Sequence, residues 1–132
     1  MTLAKLQILP LLVLLAACSN NPFKTAQTIE QKGDALYGSY VIAKEQGAGI
    51  LQNVTISDEA KRPVAQAMVD SKPAGDALQD SLIEYSAVKA QVQQGTTPQE
   101  RLVIVEQNIN EWIVKATPLI NRLIDTVGGL LK

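Results

Sequence analysis

The sequence has no histidine and a single cysteine, Cys18, in 132 residues. Without histidine the chain lacks the commonest general base and a principal metal ligand, and without a second cysteine it can form no intramolecular disulfide. Zinc, haem and thiol chemistry therefore find no set of ligands or nucleophiles, and no cofactor is expected. Aromatic residues are scarce as well: Phe23, Tyr37, Tyr40, Tyr85 and Trp112 are all there are. A core must then come from Leu, Ile, Val and Ala, and base stacking has little to work with. Charge of one sign is missing too, since 12 Lys and Arg face 13 Asp and Glu. A balanced chain has no electrostatic footprint for nucleic acid. Gly47-Ala48-Gly49 is no phosphate loop, because it lacks the flanking strand and the later lysine or glycine.

What is present begins at the amino terminus. A short head carrying Lys5 precedes an apolar run from Ile8 to Ala17, interrupted only by Pro10. Such a run falls well short of the roughly 20 residues that span a bilayer and suits a signal h-region instead. It ends in Leu15-Ala16-Ala17-Cys18, which resembles the lipobox of bacterial lipoproteins. The resemblance implies a signal peptide over 1–17, cleavage after Ala17, a diacylglyceryl group on the Cys18 thiol, and a short linker over 18–23. It also implies a membrane partner reached through that lipid. Two or three acyl chains make release from a bilayer negligible, where one holds only marginally. In enteric lipoproteins an aspartate after the cysteine retains the protein at the inner membrane. Ser19 stands there in this chain, so the resemblance favours the periplasmic face of the outer membrane.

Residues 24–132 read as one all-α domain, an elongated up-down-up three-helix bundle. Apolar residues recur every three or four positions in three segments, the mark of amphipathic helices. The first runs from about Lys24 to Val54, with a start signal at Pro22 and a stripe through Ala26, Ile29, Leu36, Tyr40, Ala43, Ile50 and Val54. Gly33, Gly38, Gly47 and Gly49 each weaken it by about 1 kcal/mol relative to alanine. Close approach of a neighbouring helix would explain Gly33 and Gly47, and a break near Gly47-Ala48-Gly49 is the competing reading.

The second segment starts at the cap Ser57 and reaches Gln94, stopped by Gly95. Pro63 and Pro73 lie inside it but leave the apolar phase intact, so one bent helix is expected, with a split at Ser71-Lys72-Pro73 as the alternative. The third starts at Thr97-Pro98-Gln99-Glu100, which matches a capping box with proline at the first helical position. Its stripe runs from Leu102 to Leu130 and is widened by Val103, Ile104, Ile113, Val114, Ile120 and Ile124, so a broad buried face is expected. Short connections force antiparallel neighbours.

Two features are candidate interaction surfaces. Asp76, Asp80 and Glu84 form a carboxylate column at four-residue steps, where like charges repel unless a cation or a nearby lysine neutralises them. A solvated outer face, opposite Leu78 and Leu82, is the plainer reading. Val103, Ile104, Val114 and Ile124 on the wide third face are either core or a docking groove. The functional expectation is a non-catalytic protein-binding or envelope-assembly module with an envelope protein as partner. The runs from Tyr37 to Gly49 and Thr97-Pro98-Gln99-Glu100-Arg101-Leu102 resemble small helical proteins of tailed phages and prophages, which implies a role such as superinfection exclusion or lysis. The alternative is a small-ligand carrier or enzyme with a pocket lined by Trp112, Tyr40 and Tyr85.

Overall fold

A computed structural model describes residues 28–131, so the lipobox, Cys18, Pro22 and the segment expected to open the first helix lie outside the described residues. Three helices follow in order: α1 (Ile29–Gln52), α2 (Asp58–Gln93) and α3 (Gln99–Leu130). At 1.5 Å per residue these are about 36, 54 and 48 Å long, which makes the bundle elongated as expected.

The helix ends are set by local hydrogen bonds. At the start of α1, Thr28 Oγ1 accepts from the Gln31 N–H and Gln31 Oε1 accepts from the Thr28 N–H, both at 3.1 Å. This reciprocal capping box places the start at Ile29, about five residues later than apolar periodicity suggests. At the other end Asn53 Oδ1 accepts from the Thr55 N–H at 2.9 Å and from the Thr55 hydroxyl at 2.7 Å. An asparagine that bonds the backbone two residues ahead diverts the chain from the helix. Val54, expected on the buried stripe, is accordingly 94% exposed in the turn.

Ser57 Oγ accepts from the Ala60 N–H and caps α2 as expected. The end of α2 is a Schellman motif: Gly95 adopts φ +76°, its N–H reaches the Val92 carbonyl, and the Thr96 N–H reaches the Gln91 carbonyl. Pro63 and Pro73 both lie on exposed positions, and α2 continues through them without a split. The start of α3 departs from expectation. Pro98 is the cap, no side-chain bond closes the first turn, and the Thr97 hydroxyl donates instead to Gln91 Oε1 at 3.1 Å. The Schellman turn draws Thr97 toward α2, so its oxygen is not aimed at the amides of α3.

Glu30 pairs with Lys89, Gly33 packs on Leu82, and Gly47 packs on Met68, so α1 and α2 run antiparallel. Glu84 pairs with Arg101 and Asp70 with Arg122, so α2 and α3 do too. The result is the up-down-up bundle. The glycines decide how close α1 comes. A Cβ at Gly33 would stand 2.8 Å from Leu82 Cδ2 and 3.2 Å from Ile109 Cγ2, and one at Gly47 would stand 2.8 Å from Met68 Sδ. Both sites thus earn their glycine, and α1 runs unbroken through Gly47-Ala48-Gly49.

Leu36, Tyr40, Val64, Leu78, Val105, Ile109, Ile120, Leu123 and Val127 fill the centre. The buried face of α3 is narrower than its composition suggests. Ile120 is fully buried and Ile113 half-buried, but Val103 and Ile104 are each 47% exposed, Val114 66% and Ile124 38%. A helix touching two neighbours buries only the sector between them, and these four positions fall outside it.

Candidate functional site

The carboxylate column lies on the outer side of α2, but its members do not share one environment. Lys72 Nζ donates to Asp76 Oδ2 at 2.6 Å one turn away, and Arg101 of α3 reaches Glu84 at 2.7 Å. Asp80 has no ion pair among the described residues. A four-residue step advances slightly past a full turn, which carries the column round from open solvent to the α2/α3 seam by Glu84. Neutralisation therefore comes from a lysine on the same helix and an arginine on the next. Among the described residues no group of three or more acidic, histidine or cysteine side chains is placed to hold a metal ion.

The exposed apolar residues of α3 do not gather into one patch. Val103 and Val114 lie near the outward pole of the helix, Ile124 turns toward α1, and Ile104 lies on the opposite flank. Ile124 and Ile42 of α1 border a shallow recess together with Ser39, Ala43 and Gln46.

Tyr40, Tyr85 and Trp112 do not meet. Tyr40 is buried under Gly75, with Lys44 Nζ 5.7 Å from its ring centre. Burial pushes the Tyr40 hydroxyl above its ordinary pKa, and nearby Asp76 adds to the shift. Tyr85 lies near the other end, its hydroxyl donating to Glu106 at 3.5 Å and Lys89 lying 5.8 Å from the ring. Its pKa is also raised, first by burial and then by Glu106. Trp112 is half-buried with Lys115 stacked 4.9 Å from its ring centre. Two further recesses among the described residues lie elsewhere. One of about 420 Å³ is bordered by Ile29, Val103, Glu106 and Asn110, and another of about 380 Å³ by Asp34, Tyr37, Gln79 and Ile83. Both open to solvent and neither borders on the three aromatics named above.

A polar cluster that the linear sequence does not signal lies at the α1/α2 seam. Lys89 donates to Glu30 at 3.2 Å, which raises the lysine pKa. One turn along, Asp34 has its carboxyl raised by burial and by the Glu30 charge. Its signal in the sequence was slight, since Lys89 lies 59 positions from Glu30 and only the antiparallel register joins them. No described helix is long and apolar enough to cross a membrane. Compared with protein families, curated proteins and solved structures, the chain matches none.

Proposed function

We propose that this protein is a lipid-anchored lipoprotein of the bacterial envelope whose helical domain acts without catalysis, by presenting a helical surface to another envelope protein. The observation that carries the reading is Leu15-Ala16-Ala17-Cys18 at the end of an apolar run too short to span a bilayer. Two features support it. The N-cap Thr28 follows Cys18 closely, so an anchor there would hold the bundle near the bilayer surface, and Tyr40, Tyr85 and Trp112 are engaged in packing and pairing and border neither of the two recesses described above. Ser19 favours the outer membrane as the site of anchoring. The phage-like segments direct the partner search to receptors and lysis machinery.

The test is intact-mass analysis of the full chain purified from the membranes of a Gram-negative host, beside a Cys18→Ser variant. The expected product lacks residues 1–17 and carries acyl groups on Cys18, whereas the variant keeps its leader. An unmodified thiol with the leader still attached refutes the anchor. Crosslinking in those membranes then identifies what the domain touches.

A further inference from the structure

The recess bordered by Ile29, Val103, Glu106 and Asn110 opens beside the start of α1, and Glu111 extends its rim. Its floor is apolar: Ile29 is half-buried, and Val103 is 47% exposed. Its rim is acidic. Glu106 and Glu111 take part in none of the four ion pairs found among the described residues. Lys115, one turn beyond Glu111, lies over the Trp112 ring instead, 4.9 Å from its centre. The Tyr85 hydroxyl donates to Glu106 at 3.5 Å, a long bond that brings no positive charge. An open valine beside two unpaired carboxylates fits an apolar side chain that has a cation next to it.

The chain that runs into Thr28 carries that combination. Between Cys18 and Thr28 it holds one large apolar residue, Phe23, and one charged residue, Lys24, adjacent to each other. Thr28, the cap of α1, has an extended backbone at φ −103° and ψ 161°, and the next residue, Ile29, borders the recess. Four residues separate Phe23 from Thr28. Five chain steps reach at most about 18 Å, whereas Val103 to Glu111 spans about 12 Å of α3. The whole recess is therefore within reach of Phe23 and Lys24 with α1 left where it is.

We infer that residues 22–24 dock in this recess, with the Phe23 ring on Val103 and Ile29 and the Lys24 ammonium between Glu106 and Glu111. A separate protein or a small ligand competes poorly with a segment joined to the recess by a few residues, whose effective concentration is on the order of millimolar. An anionic bilayer surface is repelled by the same two carboxylates. The other recess near the start of α1, bordered by Asp34 and Ile83, is a poorer seat, because Glu30 on its rim already has Lys89. Seating Phe23 changes the tether. With lipid on Cys18, the free chain shortens from ten steps and about 35 Å to five steps and about 18 Å, and the first turns of α3 are held toward the anchor. The inference deepens the proposed function and takes its consequence for anchoring from that reading, while the docked segment itself needs only the recess.

The test is coupling of the full chain in its membranes with a zero-length carbodiimide, followed by peptide mass mapping. The reagent joins a lysine amine to a touching carboxylate as an amide and takes up the water that is lost. Lys89–Glu30 at 3.2 Å and Lys72–Asp76 at 2.6 Å serve as internal positive controls. Lys24 is expected to couple to Glu106 or Glu111 about tenfold more than to Glu30, Asp34 or Glu100, and Phe23→Ala or Val103→Gln is expected to cut that product about tenfold. The control pairs and the helical circular dichroism should not change. No Lys24 product while Lys89–Glu30 forms, products spread evenly over the nearby carboxylates, coupling of Lys24 to Asp34 or to another protein, or a yield indifferent to Phe23 would overturn the inference. Intact mass keeps the two readings apart. Unlipidated protein that gives the Lys24 product refutes the anchor and leaves the docked segment standing, whereas lipidated protein that lacks it refutes the docking alone.

Discussion

Gly75 of α2 lies against the ring of Tyr40 of α1, so close that an added Cβ would stand 2.7 Å from Cζ and 2.8 Å from Cδ1. The largest fully buried side chain among the described residues thus has its place because the helix opposite has no side chain there.

Replacing Gly75 with alanine therefore overpacks the core and should cost about 1–3 kcal/mol. Gly38→Ala, which meets open space, should raise stability by about 0.5–1 kcal/mol, measured by urea unfolding. A neutral Gly75→Ala would mean that Tyr40 can move aside at little cost.

The two threonine starts should respond differently. Thr28→Ala removes a closed capping box and should destabilise by about 1 kcal/mol. Thr97→Ala removes only a hydroxyl bonded to Gln91 and should fall within about 0.5 kcal/mol of the wild type. Equal losses in urea unfolding would show that Thr97 does cap α3.

Asp34 should make folding less favourable as it ionises. Its folded pKa lies above the ordinary carboxylate value, first through burial and then through Glu30. Stability contributed by the protonated form is present in acid and is lost as pH rises through that folded pKa. Asp34→Asn is expected to flatten this fall and to be the more stable protein at neutral pH, by no more than about 0.5 kcal/mol because the group is largely solvated. Thermal melts across the carboxylate range check the sign, and a less stable variant at neutral pH would contradict it.

Along α3 the division between core and surface should be steep. Ile120→Ala leaves a cavity and should cost about 2–5 kcal/mol, whereas Val114→Ala should change monomer stability by less than about 0.5 kcal/mol. Similar losses at both positions would mean that Val114 is covered even in the isolated chain.

Much of the architecture was legible before any coordinates. The three amphipathic segments, the Ser57 cap, the Gly95 stop and the continuity of α2 through Pro63 and Pro73 are local properties, written in the order of side chains along a few turns. The boundaries were less legible. Thr28 and Thr97 both begin threonine-x-x-glutamine or glutamate patterns, but only Thr28 closes its box, because the turn after α2 takes Thr97 away from the amides of α3. The width of the buried face on α3 was not legible either, for a related reason. Apolar identity says that Val103, Ile104, Val114 and Ile124 can be buried, and only the positions of α1 and α2 say whether they are.

The sequence alone determined the class of this protein: all-helical, without histidine, and with one cysteine set where a lipobox would place it. Period and capping chemistry act over a few residues, so they can be read from order. The tertiary structure decided which glycines are compressed, which carboxylates find a cation on another helix, and which apolar side chains of α3 stay exposed. Those depend on register between helices, and register is set by packing residues far apart in the chain, such as Tyr40 on Gly75 and Lys89 on Glu30.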